Sequence, residues 1–133
     1  IIFPIHPKTK KVLKNIKYNK KIVILKDPLN YIQFLKLMKS SKIIISDSGG
    51  VQEEACILKV PLVTVRNSTE RPETLRIGCN ILSKISNKKI YRDANILLKR
   101  KINWKNPYGN GTAARKSYKE IIKLIRRNEP KNY

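Results

Sequence analysis

The segment KIIISDSGGVQEEACILKVPLVTV, residues 42–65, decides the fold class. It contains a short β-branched run (Ile43–Ile45), a turn with two glycines, a helical stretch through about Leu58, and a second apolar run (Leu62–Val65). Strands of four or five residues that are apolar throughout and alternate with helices are typical of a parallel sheet covered on both faces. The segment therefore predicts a β–α–β unit of a doubly wound α/β fold.

The same alternation extends over the rest of the chain. Further strands are predicted at Ile1–Ile5, Ile22–Leu25 and Asn80–Leu82. Further helices are predicted at Thr9–Ile16, Tyr31–Met38, from about Pro72, near Ile90–Leu98 and at Ala113–Ile125. The length of 133 residues is that of one domain. We place this domain at residues 1–126, followed by a basic C-terminal tail at residues 127–133.

Composition narrows the class of protein further. Hydrophobic residues make up 41% of the chain, enough to form a core, which argues against a disordered tail. No apolar run approaches the roughly 20 residues of a membrane span, and the first residues lack a secretory signal pattern, so no membrane partner is expected. Cys56 and Cys79 follow no disulfide or metal spacing, which favours the reducing cytoplasm. A single histidine argues against a histidine-based metal site.

The formal net charge of +21 suggests nucleic acid or an anionic surface as a partner. However, the chain is rich in Lys, Ile and Asn together, which is typical of a compositional bias of the source. No RNA-binding sheet signature or zinc-finger spacing accompanies the charge. We therefore interpret the basic segments as solvated helix faces and do not expect a nucleic-acid partner.

The middle of the chain carries the polar residues expected of a site. In parallel α/β sheets, ligands lie beyond the carboxyl ends of the strands, so the loops after Ile5, Leu25, Ile45 and Val65 are the ones that matter. Five of the nine acidic residues fall between positions 47 and 73: Asp47, Glu53, Glu54, Glu70 and Glu73. This concentration indicates that the loops around residues 47 and 66–73 form the candidate site.

The stretch Ser48–Gly50 follows a strand and opens a helix. Glycines let a ligand approach the backbone, and free N–H groups at a helix N-terminus favour an anion, so a phosphate or diphosphate is one interpretation. An ordinary strand-to-helix turn is the other. One turn later, Glu54 can accept hydrogen bonds from a ribose diol, or can complement the helix dipole, a role that suits neighbouring Glu53 better.

Three further residues have two interpretations each. Arg71, which precedes a proline at a predicted helix start, can bind a phosphate or pair with Glu70 or Glu73. His6 can donate a hydrogen bond at a strand end or be purely structural. Phe34 lies on an apolar helical stripe and belongs to the core by default.

Several motifs resemble the C-terminal half of the UDP-N-acetylglucosamine 2-epimerases. These are SDSGGVQEEA (Ser46–Ala55), followed by a strand, and then RNSTERPET (Arg66–Thr74). FPIHP (Phe3–Pro7), KDPLNYIQFLKLM (Lys26–Met38) and NPYGNG (Asn106–Gly111) occur in the same order and at the expected spacing. The resemblance covers about residues 1–126, and the first of these motifs is similar to that of the non-hydrolysing type.

The resemblance implies a GT-B-like enzyme of two Rossmann-like domains with the active site in the cleft between them. It implies reversible conversion of UDP-GlcNAc to UDP-ManNAc by elimination and re-addition of UDP, without a metal or nicotinamide cofactor. The residues that it assigns to UDP binding are Ser48, Gly49, Gly50, Glu54, Phe34, Arg71 and Glu73. Among these, the loop at 48–50 would hold the diphosphate, Glu54 the ribose and Phe34 the uracil, while Arg71 and Glu73 would line the cleft. His6 matches a histidine that contacts a second, regulatory UDP-GlcNAc in some members.

The chain departs from the family in two respects. The acids assigned to proton transfer belong to the N-terminal domain, so no residue here inherits a catalytic role. The chain also begins at the second strand, and in the usual 3-2-1-4-5-6 order the first strand lies between strands 2 and 4. We therefore expect a partial chain, inactive alone, whose partner is an N-terminal domain or separate subunit, with a homodimer as a further possibility. The alternatives are the nucleotide-binding half of a GT-B glycosyltransferase and a non-catalytic polyanion-binding protein.

Overall fold

The computed structural model describes residues 1–128, which form five strands and six helices. The strands are β1 Ile2–Pro4, β2 Ile24–Lys26, β3 Ile44–Ser46, β4 Leu62–Thr64 and β5 Asn80–Leu82. The helices are α1 Pro7–Leu13, α2 Tyr31–Ser40, α3 Gly49–Ile57, α4 Pro72–Arg76, α5 Asn87–Lys99 and α6 Ala113–Asn128. Every predicted strand and helix is present, and most begin or end at residues other than those predicted. Two positions of the predicted tail, Arg127 and Asn128, belong to α6, and residues 129–133 lie outside the described part of the chain.

Local sequence explains where several helices begin. Asn30 precedes α2 in an extended conformation, and its side chain accepts a hydrogen bond from the Gln33 N–H while the Gln33 side chain bonds back to the Asn30 N–H. This reciprocal capping box satisfies two backbone donors that the helix leaves free. Pro7 and Pro72 lie in the first turns of α1 and α4, where a missing N–H costs nothing.

All strand pairs are parallel, but the strands form two sheets. β1 pairs with β2, and β3, β4 and β5 form a second sheet in that order. β1 and β3 each pair on one side only. These are the two strands that the resemblance places on either side of the family's first strand, so the division falls where that strand was expected.

The core surrounds β4, the central strand of the larger sheet, whose three residues are all buried. On one side lies a cluster of Met38, Ala55 and Leu62 with partly buried neighbours that include Phe34. A second cluster joins Cys56, Cys79 and Trp104, and the Trp104 indole N–H donates to the Cys56 carbonyl oxygen at 3.0 Å. Both cysteines are free. Within residues 1–128 no helix is long and apolar enough to cross a membrane.

Candidate functional site

The candidate site lies at the carboxyl ends of β3 and β4. Because these strands are neighbours in a parallel sheet, the loops that follow them leave the sheet side by side. The Val65 N–H donates to the Ser46 carbonyl at 3.0 Å. This bond joins the last residue of β3 to the residue that follows β4. The polar segments at 46–50 and 66–73, separate in sequence, are therefore brought together as predicted.

The first loop ends in an open helix N-terminus. Ser48 is the N-cap of α3, yet its side chain makes no capping hydrogen bond, so its hydroxyl and the first N–H groups of α3 are free to meet a ligand. Gly49 and Gly50 have helical backbone, and a Cβ added to Gly50 would meet no atom within 4 Å. Among residues 1–128, no atom lies close enough to Gly50 to exclude a side chain there.

The second loop carries two ion-paired arginines. Arg66 makes a two-pronged pair with Glu70, with both N–O distances 2.9 Å, and this guanidinium lowers the pKa of the Glu70 carboxyl. Arg71 pairs through Nε with Glu53, and its Nη1 donates to the Glu70 carbonyl at 3.1 Å. The sequence left two alternatives open for Arg71, a phosphate or an ion pair with Glu70 or Glu73, and the carboxylate that it pairs with in the structure is that of Glu53. Glu53 takes that place because α3 packs against α4.

Glu54 lies one turn into α3 beside Tyr31, the first residue of α2. The Glu54 carboxylate, through its interaction with the phenol and its negative charge, raises the pKa of Tyr31. The Tyr31 side chain is exposed. Phe34, one turn further, packs against the Met38 cluster as its core interpretation requires. Tyr31 is therefore a neighbour of Glu54 that the sequence analysis did not identify.

Glu73, in the first turn of α4, lies near Tyr108 of the NPYGNG turn. The Tyr108 hydroxyl is buried and has no hydrogen-bond partner among residues 1–128. Burial, with the negative charge of Glu73 second, raises the pKa of Tyr108 to about 12. The sequence identified this turn as a motif but assigned no role to its tyrosine, because nothing in the spacing shows that it folds back to α4.

His6 lies apart from these residues, in the unit formed by β1, α1 and β2. Its Nδ1 accepts a hydrogen bond from the Lys8 N–H at 3.2 Å, so it caps α1 rather than donating at the strand end. None of the hydrogen bonds or ion pairs found in residues 1–128 joins residues 1–27 to residues 30–128. The structure therefore separates His6 from the other predicted site residues in terms of polar contacts.

Known proteins are similar to nearly the whole chain. The sequence profile of the UDP-N-acetylglucosamine 2-epimerase family matches residues 1–123. The UDP-N-acetylglucosamine 2-epimerase of Methanocaldococcus jannaschii is 50% identical over 131 residues, covering 94% of this chain and 34% of the relative. The enzyme of the same description from Escherichia coli K12 is 34% identical over 136 residues, covering 96% of this chain and 35% of the relative.

Solved structures agree with the sequence comparison. The crystal structure of the M. jannaschii UDP-GlcNAc 2-epimerase in complex with UDP-GlcNAc and UDP has a TM-score of 0.78 at 48% identity, covering 95% of this chain and 35% of that one. The chain thus spans about a third of the length of the relatives it matches. The predicted α/β class, with parallel strands and the architecture of the epimerase C-terminal portion, is confirmed. On both sequence and structure, the chain belongs to the UDP-N-acetylglucosamine 2-epimerase family.

Proposed function

We propose that this chain is the UDP-binding portion of an enzyme that interconverts UDP-GlcNAc and UDP-ManNAc by elimination and re-addition of UDP. The observation that carries the proposal is the open N-terminus of α3, which lies beside Glu54 and the arginine-bearing loop. The relative from M. jannaschii, whose structure holds UDP-GlcNAc and UDP, supports the same ligand class. The relatives described above are 2-epimerases, so we favour this activity over that of a glycosyltransferase.

The diphosphate would bind at Ser48, Gly49 and Gly50. The uncapped N–H groups and the positive end of the α3 dipole attract an anion, and the free Ser48 hydroxyl adds a donor. The open space above Gly50 lets phosphate oxygens approach the backbone more closely than a side chain would allow. On this proposal, the ligand accounts for a glycine at a position where no atom of residues 1–128 would meet a Cβ.

The nucleoside would extend toward α2. Glu54 would accept hydrogen bonds from the two ribose hydroxyls, and Phe34, on the face of α2 that packs toward α3, would lie near the uracil. The Tyr31 phenol, which already contacts the Glu54 carboxylate, would hold that side chain in place. Arg71 and Glu73 would line the cleft, and Arg71 would exchange Glu53 for the phosphate when the ligand binds.

Catalysis would need a partner. We assign no catalytic residue to this chain, and the acids that transfer protons would come from an N-terminal domain, in the same polypeptide or as a separate subunit. The unpaired edges of β1 and β3 are consistent with a further strand from such a partner. His6, exposed on the N-terminal unit, is the candidate contact for a second, regulatory UDP-GlcNAc, and the complete enzyme would be a homodimer.

A titration of the chain with UDP at about 150 mM salt tests the proposed site, with Glu54→Ala as the site variant. Glu120→Ala is the matched control, since it removes the same charge from α6, where Glu120 pairs with Lys123 at the exposed surface. We expect weak, saturable binding that is lost in Glu54→Ala and kept in Glu120→Ala. Equal binding by all three proteins, falling steeply with salt, would instead support polyanion binding driven by net charge.

A further inference from the structure

A buried polar network lies beneath the two loops of the site. Its centre is formed by two amide side chains from different elements, Gln52 of α3 and Asn80 of β5, which are 1% and 2% exposed. The Gln52 Oε1 accepts from the Thr69 hydroxyl at 2.6 Å and from the Asn80 Nδ2 at 3.2 Å. These bonds connect a helix, a loop and a strand that are 17 and 28 residues apart in sequence.

Asn80 extends the network to the start of α4 and to the sheet. Its Nδ2 also donates to the Thr74 hydroxyl at 3.0 Å, while its Oδ1 accepts from the Thr64 hydroxyl at 2.9 Å. The Thr74 hydroxyl in turn donates to the Arg71 carbonyl at 2.7 Å, which connects the network to Arg71. Both N–H groups of the Asn80 amide are therefore used, and its oxygen has a donor.

The network ends on backbone atoms of both loops. The Gln52 Nε2 lies 3.5 Å from the Ser48 carbonyl, next to the open N-terminus of α3. The Thr69 hydroxyl, which donates to Gln52, accepts the Arg71 N–H at 3.1 Å. One glutamine side chain thus contacts the loop proposed for the diphosphate and the loop that presents Arg71.

The chemistry of these positions favours a role beyond folding. Apolar side chains would fill such buried positions at no polar cost, whereas each buried amide is costly unless it is fully paired. Polar groups are directional, so they can set the relative placement of two loops in a way that apolar packing does not. Three threonines complete the network by hydrogen bonding to Gln52 or Asn80: Thr64 of β4, Thr69 of the second loop and Thr74 of α4.

We propose that Gln52 and Asn80 are positioning residues that hold the 48–50 and 69–71 loops in the relative placement needed to bind a nucleoside diphosphate. The inference rests on the proposed function for the identity of its ligand. Its geometric part, that the network holds the two loops in place, concerns the chain without ligand. Neither residue touches the ligand in this proposal. Gln52 acts through the backbone of Ser48 and through Thr69 on Arg71, and Asn80 acts through Gln52 and through Thr74 on Arg71.

Amide hydrogen exchange on the free chain tests the geometric part. Gln52→Met keeps the length of the side chain but removes the oxygen shared by Thr69 and Asn80. We expect the Arg71 and Ser48 amides to exchange about tenfold faster, the effect of one lost hydrogen bond, after correction for any change in global stability. Leu97→Ala, which removes a buried side chain on α5 outside the network, is the control for destabilisation. Unchanged exchange of both amides in Gln52→Met, or the same acceleration in Leu97→Ala, would overturn the proposal.

UDP affinity tests the ligand part and separates the two proposals. The dissociation constant for UDP should rise about tenfold in Gln52→Met and stay within about twofold in Leu97→Ala, each measured on the folded fraction. Thr69→Val combined with Gln52→Met should weaken UDP binding by less than the sum of the two single effects, because the two side chains share the Thr69–Gln52 hydrogen bond. If amide exchange is faster in Gln52→Met but the unmodified chain does not bind UDP, only the proposed function is overturned. UDP binding unaffected by Gln52→Met would overturn the positioning role alone.

Discussion

β1 and β4 have similar apolar sequences and opposite environments. Ile2 and Phe3 of β1 are 48% and 38% exposed, whereas Leu62 and Val63 of β4 are 1% and 0% exposed. β4 has a strand on each side and contacts with α3 and α5, while β1 has only β2 beside it. An apolar strand sequence therefore favours burial, but whether the strand is buried depends on the strands and helices that pack around it.

The same contrast holds for polar contacts. In the N-terminal unit, residues 1–27, the ion pair between Lys10 and Asp27 lies at the exposed surface. In the larger sheet, Thr64 and Asn80 are buried, and so is Gln52 of the adjoining helix α3. Asn80 is hydrogen-bonded to both of the other side chains. The larger sheet and its helices contain most of the buried core, whereas in the N-terminal unit Ile5 is buried but many other apolar side chains are exposed. The three predictions below test this difference in stability.

The largest difference is expected between two aliphatic truncations. Leu62→Ala on β4 should lower the free energy of unfolding by about 2–5 kcal/mol, because it removes a buried side chain and leaves a cavity. Ile24→Ala on β2 should cost about 1 kcal/mol or less, since that side chain is already half exposed. Urea unfolding followed by circular dichroism measures both. Equal losses would show that the N-terminal unit is packed as tightly as the central sheet.

A smaller effect is expected at Trp104, which ties the segment after α5 back to α3. Trp104→Phe keeps most of the apolar contact with Cys56 and Cys79 but removes the donor to the Cys56 carbonyl. The loss of a buried hydrogen bond predicts a cost of about 1–3 kcal/mol. Thermal unfolding measures it. A cost near that of a surface substitution would mean that the segment after α5 contributes little to the central core.

The smallest effects are expected at the two helix caps. Asn30→Ala removes the capping box of α2 and should cost about 1 kcal/mol. His6→Ala removes the cap of α1, a seven-residue helix without buried residues, and should cost only a few tenths of a kcal/mol. Denaturant unfolding of both variants gives the difference. If His6→Ala were the more costly change, α1 would be more tightly coupled to the core than its exposure indicates.

The sequence predicted the site loops better than their contacts. Strand Asn80–Leu82 and the start of α3 after Ser48 follow from local patterns, since alternating apolar runs and turn residues act over a few positions. The pairing of Arg71 with Glu53 was not among the alternatives that the sequence offered, and Gln52 and Asn80 were not singled out. Those contacts depend on which helices lie side by side, which local patterns do not encode. The roles of the seven predicted UDP-binding residues and of His6 stay predictions.

The sequence by itself determined the α/β class, the order of strands and helices, and the polar loops that follow β3 and β4 at one edge of the sheet. Each depends on short-range rules: alternation of apolar residues, glycine and proline at turns, and the common edge that parallel strands share. Only the tertiary structure decided that Glu53 pairs with Arg71, that Gln52 and Asn80 meet beneath the site, and that β1 stays exposed while β4 is buried. These outcomes depend on packing between elements distant in sequence, where displacement by a few ångströms makes or breaks a hydrogen bond.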